Sequence, residues 1–280
     1  MLLKNILVVL ALFVSVSAQA IINGRNPDKV KSASTVSIRV DGYGRTCSGV
    51  IISAHLVLTA GHCLDGVSKD SSKVDITNVV NAEGRWKTLH LASNYGRHPL
   101  YIEPTASGKK EAIDIQYDFS YLKISEDLLV TFGLTPQQLP RLFTQTADID
   151  QMLIGSNSAM VYGYGMTERP KHGDLSPSKS DLKKELSMSV THDSTINILM
   201  ARSAEKNRGL CEGDSGGGLF LTAKDGQVYL AGIVSGIYAG AGCGSKESYG
   251  AYSIVSQHIC WVLKDSTTPT PPELSSLQCN

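Results

Sequence analysis

Val36-Ser37-Ile38-Arg39-Val40 alternates apolar and polar side chains, and Asp41-Gly42-Tyr43-Gly44 follows at once. A period of two sends Val36, Ile38 and Val40 to one face and Ser37 and Arg39 to the other. This is a half-buried strand running into a turn. Working outward, residues 47–52 and 56–60 are apolar runs of strand length. Residues 219–222 and 227–234 flank Lys224-Asp225-Gly226, a hairpin signal. Many short strands separated by glycine turns make the chain all-β, a sandwich or a barrel. One segment breaks the rule: Val255, Ile259 and Val262 recur at helical spacing, which predicts a C-terminal helix over 253–264.

Composition agrees with a folded domain. The chain has 280 residues, 42% hydrophobic and 19% charged, which excludes disordered and collagen-like classes. At roughly 150 residues per domain, the length suggests two folding units or one large one. The 26 basic and 26 acidic side chains balance, with no long run of like charge. Nucleic acid and an anionic membrane surface are therefore not expected partners.

The N-terminus reads as a secretory signal over residues 1–20: Lys4, an apolar stretch over 6–14, then Ala18-Gln19-Ala20. The apolar stretch is about half of the ~20 residues that a spanning helix needs. Export, to an extracellular or periplasmic space, permits disulfides. The six cysteines, Cys47, Cys63, Cys211, Cys243, Cys260 and Cys279, form an even set. Their spacing does not suit a structural zinc site. Residues 265–280 form a Pro/Thr-rich tail, and a free tail has little use for a cysteine, so Cys260–Cys279 is expected to tie it back. Residues 132–149 read as an irregular connector and 168–184 as a polar surface loop.

Two glycine-rich motifs carry chemistry. Leu58-Thr59-Ala60-Gly61-His62-Cys63 ends an apolar strand on a histidine, and Gly213-Asp214-Ser215-Gly216-Gly217-Gly218 sets a serine among glycines. A serine is a weak nucleophile until a base takes its proton, and the base needs a third group to fix its tautomer. Glycines allow backbone N–H groups to face a developing oxyanion. Between the motifs, Asp118 heads the run Phe119-Ser120-Tyr121-Leu122-Lys123-Ile124. Taken singly, each piece is more often a packed strand end, a turn cap or a phosphate loop. The order His, Asp, Ser in an exported β-rich chain is far more restrictive.

With these motifs the sequence resembles the chymotrypsin/trypsin-like serine peptidases. Ile21-Ile22-Asn23-Gly24, His98-Pro99-Leu100-Tyr101, Gly163-Tyr164-Gly165 and Gly232-Ile233-Val234-Ser235 extend the resemblance from residue 21 to about 264. It implies two antiparallel six-stranded β-barrels, over 21–135 and 136–264, with the active site between them and a C-terminal α-helix. It implies Ser215 as nucleophile, His62 as general base then acid, and Asp118 as orienter, with Asp114 a competing acid. Gly213 and Ser215 would supply the oxyanion hole, and Cys47–Cys63 and Cys211–Cys243 would be bridged. The reaction would be peptide-bond hydrolysis by a monomer, on protein or peptide substrates, without metal or organic cofactor.

Ile21 would pair with Asp214 once freed, and signal cleavage after Ala20 would free it directly; cleavage after Ala18 would leave a blocking dipeptide. Gly209, Ser235 and Gly250 would line the specificity pocket, where Gly209 offers no charge for Lys or Arg. Ile237 projecting inward would make the pocket short, and Gly240 in its place would make it deep. Met200, Leu221 and Gly218 depart from the family's usual residues. Ion binding by Asp65, Asp70 and Asp75 is a further possibility. The rival class is a silent peptidase-like binding protein or adhesin. A lipase is disfavoured by the order of the triad.

Overall fold

The computed structural model describes residues 21–40, 46–68, 73–79, 86–92, 94–103, 115–166, 183–238, 243–245, 249–266 and 271–279. The expected signal, the 41–45 turn, Asp70, Asp114, Gly240 and most of the 168–184 loop lie outside these residues.

The first sheet contains β1 (Thr35–Val40), β2 (Thr46–Ser53), β3 (Leu56–Thr59), β4 (Lys73–Val79), β5 (Trp86–Ala92), β6 (Tyr95–Arg97) and β7 (Ser120–Lys123). Its order is β5-β4-β1-β2-β3-β7-β6, antiparallel throughout. The two edge strands, β5 and β6, are consecutive in the chain. A connection so short reaches only about 10 Å, so the sheet must roll until its edges meet. Counted as one bent strand, β5 and β6 give the six expected from the sequence. In β1, Val36, Ile38 and Val40 are buried and Arg39 is exposed, as the alternation requires.

The second sheet contains β8 (Arg141–Leu142), β9 (Ser158–Gly163), β10 (Lys184–Asp193), β11 (Ile198–Arg202), β12 (Gly218–Thr222), β13 (Val228–Tyr238) and β14 (Tyr249–Ile254). Here β12 pairs with both β9 and β13, closing a six-stranded antiparallel barrel. The two-residue β8 is added to β13 in parallel, which the expected antiparallel pattern did not include. The β12–β13 hairpin turns where expected: Ala223 N donates to Gln227 O, and Gly226 takes a φ of +83° that suits glycine.

Among the described residues three α-helices accompany the sheets: α1 (Leu128–Phe132), α2 (Thr146–Gly155) and α3 (Val255–Ser266). The last is the expected C-terminal helix. By contrast, α2 begins inside the stretch read as an irregular connector. Its one fully buried side chain is Ile149, and Met152 and Leu153, three and four positions on, pack half-buried against the same core, a stripe of one turn that is too short to stand out in the sequence. The barrels share a continuous core, in which Val50, Leu58 and Phe119 belong with Phe220, Ile233, Ile259 and Val262. Residues 21–25, expected with the first barrel, lie on the second, through bridges Ile22↔Gly209 and Arg25↔Glu185.

All three disulfides form as anticipated, Cys47–Cys63, Cys211–Cys243 and Cys260–Cys279. The tail is more than a linker, because Leu274 is 3% exposed and joins the shared core. Replacing Cys260 and Cys279 together by serine is expected to remove about 2–4 kcal/mol, a fall in unfolding midpoint of roughly 5–10 °C. Calorimetry under oxidising conditions checks this; an unchanged midpoint would mean that the tail packs without its bridge.

Candidate active site

His62 stands where β3 ends in a single 3-10 turn, Gly61–Leu64. A side chain at Gly61 would put a Cβ 3.0 Å from the Tyr101 ring and 3.1 Å from Asp118 Oδ1. Glycine therefore lets the acid approach the backbone of the histidine loop. Asp118, two residues before β7, is fully buried. Its Oδ1 accepts from His62 N at 2.8 Å, and its Oδ2 lies 2.7 Å from His62 Nδ1. Such a carboxylate places the ring proton on Nδ1 and leaves Nε2 as the basic nitrogen. A third donor, Ser235 Oγ, reaches Asp118 Oδ2 at 2.5 Å. Ser235, expected in the substrate pocket, thus spends its hydroxyl on the acid. Asp114 lies outside the described residues.

The serine loop is pinned across the barrel interface. Ser48 N donates to Ser215 O at 2.7 Å, and Ser48 Oγ donates to Gly213 O at 2.9 Å. Cys63 Sγ lies 3.7 Å from Ser215 O, so the serine loop abuts the histidine loop. Gly216 has a φ of +82°, and a Cβ there would come 2.2 Å from both Ser48 O and Thr59 Oγ1. Gly213, with a φ of +92°, is equally closed to side chains, since its Cβ would meet Gly165 Cα at 2.8 Å. Among the described residues, neither Gly213 N nor Ser215 N has an acceptor. Two backbone donors on one tight turn are left for an incoming oxygen. Ser48 was not singled out in the sequence, where it reads as one more small residue of a strand.

Asp214 is fully buried and points away from the serine, into the second barrel. Gly165 N and Cys211 N each donate to its carboxylate at 2.9 Å. Burial nevertheless pushes its pKa up to about 7, against the pull of those two donors. A Cβ at Gly163 or Gly165 would fall 2.2 or 2.5 Å from that carboxyl group, which accounts for the Gly163-Tyr164-Gly165 motif. Ile21 is fully buried in the same barrel's core with Leu210 and Tyr252. Its φ of +55° is unusual for a β-branched residue.

In the expected specificity pocket, Gly209 abuts Gly244, whose Cα would lie 2.9 Å from an added Cβ. The space that Gly250 leaves is filled by Leu210, a core side chain of the second barrel: a Cβ there would lie 2.6 Å from Leu210 Cδ1. Ile237 pairs with Gly250 in the β13–β14 ladder and is 38% exposed. Leu210 reads in the sequence as ordinary core, and it is core, 3% exposed; what the sequence does not show is its closeness to Gly250.

Of the three acids considered for ion binding, Asp70 lies outside the described residues. Asp65 Oδ1 accepts from Tyr101 Oη at 2.8 Å and lies 3.3 Å from Arg97 Nη1, while Asp75 sits in β4. The described His, Cys, Asp and Glu side chains offer one close group, Cys47, His62 and Cys63, and its two sulfurs are joined to each other.

Comparison with known proteins points the same way. A family model described as Trypsin matches residues 21–262. A relative, the serine proteinase stubble of Drosophila melanogaster, is 25% identical over 245 residues, 80% of this chain and 28% of the relative. The chain therefore spans little more than a quarter of that protein's length.

Proposed function

The chain belongs to the trypsin family of serine peptidases, and on that premise we propose a secreted endopeptidase that works through Ser215, His62 and Asp118. The supporting observation is the buried Asp118 carboxylate, bound through both oxygens to His62, beside the N–H groups of Gly213 and Ser215, which no described residue accepts. In this reading, His62 Nε2 takes the Ser215 hydroxyl proton as Oγ attacks the peptide carbonyl. The oxyanion settles on Gly213 N and Ser215 N. The imidazolium then gives its proton to the leaving amine, and water repeats the sequence on the acyl-enzyme. Asp118 stays ionised and holds the ring, with Ser235 completing its hydrogen bonds.

We read the cleft as an uncharged, short one. No carboxylate stands at Gly209 for a substrate Lys or Arg, and burying an unpaired cation there would be costly. Leu210 leans across Gly250 from within and Ile237 stands opposite on the ladder, so small aliphatic residues before the scissile bond fit best. Digestion of a mixed protein library, with every cut site sequenced, tests both points. Cuts after Ala and Val, absent with Ser215→Ala, are expected; cuts chiefly after Lys or Arg would overturn the specificity. Leu210→Gly is expected to raise kcat/KM for Phe or Leu relative to Ala by about 10- to 100-fold, as lost bulk in an apolar pocket permits. An unchanged ratio would remove Leu210 as the stop.

Secretion rests on the signal-like residues 1–20, and on three disulfides that need an oxidising compartment. Among the described residues no helix is long and apolar enough to cross a membrane.

A further inference from the structure

Behind Asp118, on the side away from His62, the turn that presents the acid is held by the opposite barrel. Ser253, at the end of β14, donates its hydroxyl hydrogen within reach of two carbonyls, Ile115 O at 2.7 Å and Asp118 O at 3.0 Å. His258, in the first turns of α3, places Nε2 2.7 Å from Gln116 O. A carbonyl only accepts, so this nitrogen carries the hydrogen. Three carbonyls of one four-residue turn, 115–118, are thus gripped by two side chains of the β14–α3 corner. Ser235, from β13, grips the carboxylate itself.

His258 is built into this place. It is 2% exposed, its ring tilts against Phe119 at 4.7 Å between centroids, and it meets His98 edge-on at 4.8 Å. His98 in turn stacks on Tyr117 and receives Leu100 N at Nδ1. The rings of Tyr117 and Phe119 bracket Asp118 in the chain, so every movement of the turn meets the histidine pair. The far nitrogen, His258 Nδ1, is buried and finds no hydrogen-bond partner among the described residues. An apolar ring would fill the same space, so a histidine there is needed only for its donor.

We propose that His258 and Ser253 are positioning residues for the triad: they fix the 115–118 turn so that Asp118 meets His62 in register. The inference rests on the catalytic reading of Asp118 given above. The neutral ring, with its hydrogen on Nε2, is the working form. The described titratable groups facing it are His98 and Tyr117, and no described carboxylate stands by to stabilise a charge. Burial, with His98 nearby, accordingly pushes its pKa down to about 4.

The test compares His258→Phe, His258→Gln and Ser253→Ala in the full disulfide-bonded protein. Rates are expressed per active site, counted with an acylating titrant. His258→Phe loses the donor, and kcat is expected to fall about tenfold, with KM within twofold. The acid-limb pKa of kcat/KM, which reports His62, should fall as its carboxylate partner loosens. His258→Gln retains a side-chain N–H and should recover most of both losses. Wild-type kcat and acid limb in His258→Phe, whatever its thermal stability, would reduce His258 to packing and overturn the proposal. Should that variant fail to fold, Ser253→Ala carries the same two readings. Ser215→Ala separates this from the triad itself. A dead Ser215→Ala with wild-type His258 and Ser253 variants sinks only the cradle, whereas an active Ser215→Ala sinks the triad.

Discussion

Ser215→Ala is expected to lower kcat by about 10⁴- to 10⁶-fold while leaving the fold unchanged. The expectation follows from how little else in the site can supply a nucleophile. Ser215 sits in a loop pinned by Ser48 through two carbonyls, Ser215 O and Gly213 O, and both bonds are made by the backbone of the loop. Removing one half-buried hydroxyl touches neither bond, so Gly213 N and Ser215 N should keep their orientation. A small residual rate, water attacking a carbonyl held by those donors, is the expected remainder. Asp118→Asn should fall by roughly 10⁴-fold for a different reason. The amide can donate as well as accept, which allows the wrong imidazole tautomer, although His62 and Ser235 stay in reach. Progress curves on a small-aliphatic peptide, with matched unfolding midpoints, check both. A Ser215→Ala variant that retained most of its rate would remove Ser215 as the nucleophile, and one that lost the rate but kept its full biological effect would favour the binding-protein reading.

What could be read from the sequence divides along physical lines. Strands such as Thr35–Val40 are legible because burial on one face imposes a period of two, and the hairpin at Gly226 because its φ demands glycine. The bridges of Cys47, Cys63, Cys211 and Cys243 came with the resemblance, and that of Cys279 from its position in a proline-rich tail. Four things escaped. Helix α2 buries a single side chain fully, and its stripe of Ile149, Met152 and Leu153 is only one turn long. Leu210 and Ser48 act through what they approach, a glycine of β14 and two carbonyls across a barrel interface, and neither partner is near in sequence. Ser235 was placed by resemblance at the substrate, whereas its hydroxyl turns to Asp118, 117 positions away. Local periodicity is written along the chain, but the grip of one barrel on the other is set only when they pack.

The chain that begins at Ile21 and the chain that retains Gln19-Ala20 before it are expected to differ most above pH 7. Asp214 is wholly buried, and the described groups that satisfy it are two N–H donors, with no cation. Its pKa, raised by burial from the model-peptide value of 3.8 to about 7, means that the fold prefers the protonated acid. The unfolded chain therefore ionises first, and stability of the extended form declines as pH rises from about 4 to about 7, then levels. At 1.36 kcal/mol per pKa unit the loss is about 4 kcal/mol. A free Ile21 ammonium in the same core would pair with the carboxylate and restore that energy until the amine itself loses its proton at alkaline pH. Cleavage would also abolish the torsion that holds Ile21 at a φ of +55°, since that angle is defined across the bond being cut. Asp214 lies between Gly213 and Ser215, so an acid left without a cation strains the turn that carries both oxyanion donors. Retaining the dipeptide should for this reason lower kcat/KM by about 10²- to 10³-fold at pH 8, the rate equivalent of 3–4 kcal/mol. Unfolding midpoints of the two forms between pH 4 and 9, with activities alongside, decide the matter. The gap should widen from pH 4 to 7, and Asp214→Asn should flatten it while remaining poorly active. Parallel profiles would show that Ile21 and Asp214 do not communicate, and activation would then have to be sought elsewhere in the serine loop.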